Sequence, residues 1–162
     1  MKDILYAPWR TEYLTNKIEG CVFCHISTHA IDDESLHVLH RDEHCFIVMN
    51  RYPYTPGHFM IIPHMHTDTL ESLPQETWIH ISILAQKCTR LLKEGFNASG
   101  VNLGMNLGSA AGAGIAEHIH LHLVPRWERD TNFITAIGET RVYSTDFEKI
   151  YQKIKELIKE YL

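Results

Sequence analysis

His118, His120 and His122 occupy every second position of the run His118-Ile-His-Leu-His-Leu-Val-Pro-Arg-Trp127, with aliphatic residues between them. An extended chain alternates its side chains between two faces, so the three imidazoles share one side and Ile119, Leu121 and Leu123 the other. A half-buried strand carries one histidine by accident; three in register point to chemistry. Imidazole ligates metals such as zinc, and in its neutral form it serves as a nucleophile or proton carrier. Directly upstream, Asn106-Leu-Gly-Ser-Ala-Ala-Gly112-Ala-Gly114-Ile115 is rich in glycine and small residues. Such a turn brings the backbone close to a ligand, and the N–H groups of Gly112, Ala113, Gly114 and Ile115 are candidate donors to a phosphate. The second concentration of ligating residues is Cys21-Val-Phe-Cys24. In a reducing compartment this spacing reads as metal or redox, and no strand–helix–strand pattern surrounds it, which favours metal. Cys45 and Cys88 read as buried small hydrophobes.

The elements that must position these residues are legible as short apolar runs between turn residues. Leu36–His40, Cys45–Met49 and His58–Ile62 read as strands, Ser99–Leu107 as a fourth and the histidine run as a fifth. Ser72-Leu-Pro-Gln75 has the form of a capping box, and Trp78, Ile81, Ala85, Cys88 and Leu92 follow at helical spacing until Gly95. A C-terminal helix opens at Thr145-Asp-Phe-Glu148, with Phe147, Ile150, Ile154, Leu157, Ile158 and Tyr161 on one stripe that covers either its own sheet or a partner subunit. Short hairpin-like connections around one long helix predict an α+β domain with an antiparallel sheet of about five strands. At 162 residues, with no internal linker or repeat, the chain reads as one domain over 1–162.

The net charge of −5 argues against a nucleic-acid groove, which needs a basic face. An anionic ligand must then be held locally by backbone N–H groups, histidines and a few arginines. The N-terminus lacks the apolar run of a signal peptide, and no stretch of about 18 apolar residues occurs, so a soluble, cytoplasmic protein without membrane contact is expected.

Taken together, the glycine-rich turn, the alternating histidines with their Pro125-Arg126 tail, and Asn50-Arg-Tyr-Pro-Tyr-Thr-Pro-Gly57-His58 resemble the histidine-triad (HIT) superfamily of nucleotide hydrolases and transferases. The resemblance implies a HIT-like fold, usually dimeric, and an adenine nucleotide as substrate. It makes His120 the nucleophile that attacks an α-phosphorus to form a nucleotidyl-histidine, with its other ring nitrogen donating to an acceptor such as a backbone carbonyl. His122 would orient the reacting phosphate, and His58 would support His122 from the neighbouring strand. Asn50 matches the residue that binds the ribose hydroxyls, and Asn106 stands where many relatives have Gln. On the pleat Val48 shares a face with Asn50 and Met60 with His58, so Val48 and Met60 either line a nucleobase pocket or are ordinary core.

Superfamily members with C-x-x-C carry structural zinc, and the resemblance assigns it here to Cys21, Cys24, His66 and His118, with His64 the rival of His66. His25, His29, His37, His40, His44 and His80 read as solvated or satisfied. Within the superfamily Leu5-Tyr-Ala-Pro-Trp-Arg-Thr-Glu-Tyr13, the Asn106–Gly112 turn, the Glu117–Trp127 run and Asn132-Phe-Ile look like the bacterial diadenosine tetraphosphate phosphorylase branch. There phosphate, in place of water, takes the nucleotidyl group from histidine. A HIT hydrolase of dinucleoside polyphosphates or nucleoside phosphoramidates is the near alternative. A tri-His zinc metallohydrolase and a non-catalytic nucleotide-binding module are the readings from other classes.

Overall fold

The computed structural model describes residues 20–131, 135, 137 and 145–162. The Leu5–Tyr13 and Asn132-Phe-Ile motifs lie outside them. In chain order the described residues form α1 (Val22–Thr28), β1 (Val38–Arg41), β2 (Cys45–Met49), β3 (Phe59–Pro63), α2 (Gln75–Arg90), β4 (Gly100–Gly104), β5 (Leu121–Arg126) and α3 (Phe147–Tyr161). The strands pair antiparallel in the order β1-β2-β3-β5-β4, so the expected five-stranded α+β sheet is present.

Both faces of the sheet are covered, which is why β2 and β3 read as unbroken apolar runs and not as alternations. On one face Cys45, Ile47, Ile61, Leu121 and Leu123 pack against Ile81, Leu84, Ala85 and Cys88 of α2 and against Tyr151, Ile154 and Ile158 of α3. The other face carries Phe46, Val48, Met60 and Ile62 under Phe23 and Ile26 of α1. The pairing of Met60 with His122 sets that histidine on the α1 face.

Several boundaries differ from the sequence reading, each for a local reason. No capping box forms at Ser72: the Thr69 hydroxyl donates to the Ser72 hydroxyl within a 3-10 turn, and α2 starts after Pro74, which has no side-chain oxygen to cap with. The helix runs on through a π-helical turn, Leu91–Gly95, which buries Leu91 and Leu92 and ends at the expected glycine. The triad strand starts its ladder only at Leu121, so His118 and His120 lie in the segment just before it. The C-terminal helix covers its own sheet. Asp146 caps it by accepting the N–H groups of Glu148 and Lys149, and the Tyr151 hydroxyl donates to the Val38 carbonyl at 3.3 Å. The short helix α1 was not foreseen.

Candidate active site and metal centre

His58 is positioned by the turn that joins β2 to β3. Gly57 in that turn has φ +83, and a Cβ there would meet the Phe96 ring at 2.6 Å, so only glycine fits. Thr55 donates to the Pro125 carbonyl at 2.8 Å and fastens the turn to β5. The Tyr54 N–H donates to His58 Nδ1 at 3.1 Å, so in the neutral ring the proton sits on Nε2. That Nε2–H donates to His122 Nδ1 at 2.9 Å, and the His122 proton is thereby fixed on its own Nε2. Asn50 flanks the pair: its Oδ1 accepts from the Tyr52 N–H, which turns Nδ2 to within 3.3 Å of His58 Nε2.

His120 has the opposite tautomer. Its Nδ1–H donates to the His118 carbonyl at 2.8 Å, which leaves an unshared pair on Nε2. Burial lowers the pKa of every ring in this group, with nearby imidazoles adding to the effect at His58 and His122. His58 falls to about 3 and His122 to about 4. At His120 the bond to the His118 carbonyl opposes burial without cancelling it. These imidazoles are neutral at pH 7.

His118 faces elsewhere. Its Nε2–H donates to the Pro63 carbonyl at 3.0 Å, and Nδ1 looks at Cys21 Sγ at 3.4 Å and Cys24 Sγ at 3.7 Å. His66 Nδ1 lies 3.2 Å from Cys24 Sγ, and the donor atoms of Cys21, Cys24, His66 and His118 all fall within 4.8 Å of one another. Tetrahedral zinc with sulfur and nitrogen ligands separates S from N by about 3.5 Å, so this set fits such an ion. Without one, burial and the adjacent Cys21 push the Cys24 thiol up. The rival His64 is engaged away from this cluster, with Nε2–H on the Asp42 carbonyl and Nδ1 at 2.7 Å from the Ser27 hydroxyl. Among the described residues His118, His120 and His122 do not form a group whose donors could share an ion.

The glycine-rich turn spends part of its donors on itself. Gly108 and Gly112 take positive φ around a 3-10 turn, Ser109–Ala111. Within it Gly112 N–H donates to Ser109 and Ala113 N–H to Gly108, so two of the four expected phosphate donors are already engaged. Among the described residues no backbone carbonyl accepts from Gly114 or Ile115. Val48 and Met60 are packed as core of the α1 face. Asn106 lines an open cleft of about 450 Å³ on the other side of His122, together with Tyr54, Asn102 and Arg126.

Two residues at this site had no motif to mark them. Phe23, inside the C-x-x-C spacing, lies 5.1 Å from the His120 ring and 5.6 Å from the His118 ring, between centroids. Tyr54 lies 4.6 Å from the His58 ring and 5.9 Å from that of His122.

A family model described as the HIT domain matches residues 33–129. An AP-4-A phosphorylase of Mycobacterium tuberculosis is 42% identical over 111 residues, which cover 68% of this chain and 56% of that protein; the chain thus spans little more than half the relative's length. A bis(5'-adenosyl)-triphosphatase of Dictyostelium discoideum is 28% identical over 71% of this chain and 80% of its own length. Among solved structures, a zinc-bound histidine triad family protein from Mycobacterium smegmatis superposes with TM-score 0.71 at 30% identity, covering 87% of this chain and 94% of its own.

Proposed function

Because this chain belongs to the HIT domain family, whose members act as nucleotide hydrolases and transferases, we propose that it splits dinucleoside polyphosphates through a nucleotidyl group carried on His120, with phosphate as the final acceptor. The observation that carries the reading is the set of fixed tautomers. The His118 carbonyl holds the His120 proton on Nδ1, so the Nε2 pair is available to an α-phosphorus. A P–N bond forms as the phosphoanhydride P–O bond breaks, and the distal nucleoside polyphosphate leaves. His122 Nε2–H, fixed through His58, donates to a phosphoryl oxygen as charge builds there. The remaining Gly114 and Ile115 N–H groups are the backbone donors beside it. Asn50 would meet the ribose, and a base would rest against the apolar cluster that includes Val48 and Met60. A phosphate oxygen then displaces the nucleotidyl group from nitrogen.

Phosphate is preferred over water as acceptor on the likeness to the AP-4-A phosphorylase and on Asn106, whose shorter amide beside Ser109–Ala113 leaves room for a second anion. Hydrolysis of dinucleoside polyphosphates is the second reading, favoured by the likeness to the triphosphatase. Cys21, Cys24, His66 and His118 would hold structural zinc, which ties the start of α1 to the triad with its charge cancelled by two thiolates. We further read the whole chain as one cytoplasmic domain. No helix among the described residues is long and apolar enough to cross a membrane. The protein would work as a homodimer through β4, which ends the sheet among the described residues.

The products decide. Diadenosine tetraphosphate with inorganic phosphate should give adenosine diphosphate and triphosphate, whereas water as acceptor gives monophosphate and triphosphate. His120→Ala should do neither while still binding adenosine monophosphate. If phosphate alters neither rate nor products, the hydrolase reading replaces the phosphorylase one; if His120→Ala keeps near-normal turnover, the covalent step is wrong.

A further inference from the structure

Asp42 lies in the turn between β1 and β2, and its two carboxylate oxygens have separate surroundings. Oδ1 accepts the N–H groups of His44 and Cys45 at 2.8 and 2.9 Å, which closes the turn. Oδ2 points to where side chains from three elements converge. His80 Nε2 of α2 is 2.7 Å away, His40 Nε2 of β1 3.6 Å, and Cys45 Sγ at the start of β2 3.8 Å. The donor atoms of Asp42, Cys45 and His80 all lie within 4.8 Å of one another. An irregularity in the β1 register between Val38 and His40 sets His40 opposite Ile47, a residue of the α2-side core. Cys45 belongs to that same core, so this group sits across the sheet from His122 and shares no residue with the Cys21, Cys24, His66 and His118 set.

We propose that Asp42, Cys45 and His80, with His40 beside the carboxylate, form a second metal site, for a borderline divalent cation of the zinc class, which ties α2 to the β1–β2 hairpin. The donor chemistry selects the ion: a thiolate and an imidazole beside one carboxylate suit zinc-like metals and disfavour magnesium or calcium, which want oxygen. Thiolate and carboxylate together cancel the double positive charge. Binding displaces one proton, from Cys45 Sγ to solvent, while Asp42 is already ionised and the proton that His80 donates from Nε2 moves to its Nδ1. The His80 and Asp42 donors must move apart by about half an ångström to ligate one ion. The His80 side chain is 38% exposed and Asp42 22%, so an ion can reach them from solvent. The turn does not require this convergence, since Oδ1 and the Asp42 N–H bond to the Cys45 carbonyl close it without Oδ2.

Cobalt(II) tests the site without reference to nucleotide turnover. Metal-free full-length protein, kept reduced and anaerobic, is dialysed at one free cobalt concentration and its bound metal and absorption spectrum are measured. Wild type should hold one more ion per chain than His80→Ala, a change at an exposed side chain that leaves core packing intact. Cys45→Ala should also lose that ion, together with its share of the thiolate-to-cobalt absorption. Equal metal content in wild type and His80→Ala overturns the proposal. So does a Cys45→Ala protein that keeps the extra ion, because the ion would then be held by an exposed histidine–carboxylate contact alone.

Discussion

Two histidines in contact on one sheet carry different instructions because different backbone groups address them. A Tyr54 amide proton sets His58 and, through it, His122, while the carbonyl of His118 sets His120 in the reverse sense. The same burial that keeps these rings neutral also couples stability to pH. The unfolded chain binds protons on His58 and His122 near their ordinary value of 6.5, whereas the folded protein resists until about 3 and about 4. Stability is therefore full above pH 6.5 and drains away as pH falls through the window between those values. Moving from pH 7.5 to pH 5 should cost about 2 kcal/mol for each of the two rings. Urea denaturation at the two pH values measures it, and His58→Gln should remove that ring's share, about 2 kcal/mol, of the dependence. A stability that is flat between pH 7.5 and 5 would mean that these rings are not held neutral by the fold.

At the level of elements, the β2–β3 turn is the most exacting part of the site. Gly57→Ala combines a positive φ with a Cβ set against Phe96 and Ile154, and should destabilise the protein by about 1–3 kcal/mol. Because His58 follows directly, nucleotide turnover should fall further than the loss of folded protein explains, which a rate normalised to folded fraction would show. Much of this site was legible in the sequence. The triad histidines, His58 and the C-x-x-C pair stand at spacings that survive in three dimensions, and the strands were marked by their apolar runs. What was hidden lacked a local pattern. Helix α1 is too short to show a period, so the approach of Phe23 to His120 left no trace. Pro74 ended the capping-box reading of Ser72 by geometry, and two donors of the glycine-rich turn were consumed by the turn itself. The stripe on α3 showed that it must be covered, but only the fold says by what. His40 and His80 read as solvated or satisfied, but nothing in the sequence named their shared partner: Asp42 is two residues from His40, and α2 brings His80 to it from across the core.

On the scale of the molecule, β4 ends the sheet order, and Leu103 on it is 52% exposed. An outer strand with an apolar side chain in solvent invites pairing with another strand, and Ile79 and Ile83 on α2 are further apolar residues left half exposed. Light scattering on the purified protein should give twice the chain mass, and Leu103→Lys should shift it toward a single chain; a wild type that is monomeric at all concentrations would remove the dimer. The strand order has one more effect. His58 and His122 rest at β3 and β5, interior strands packed on both faces, with His120 directly before β5, while the cleft beyond His122 opens toward β4 at the margin. In the proposed reaction the attacking group would thus sit beside interior strands, and the departing group would meet an outer strand, where local opening costs less. On that reading a lineage with this scaffold would exchange one departing group for another by altering the margin alone, and would inherit the bond-breaking step unchanged.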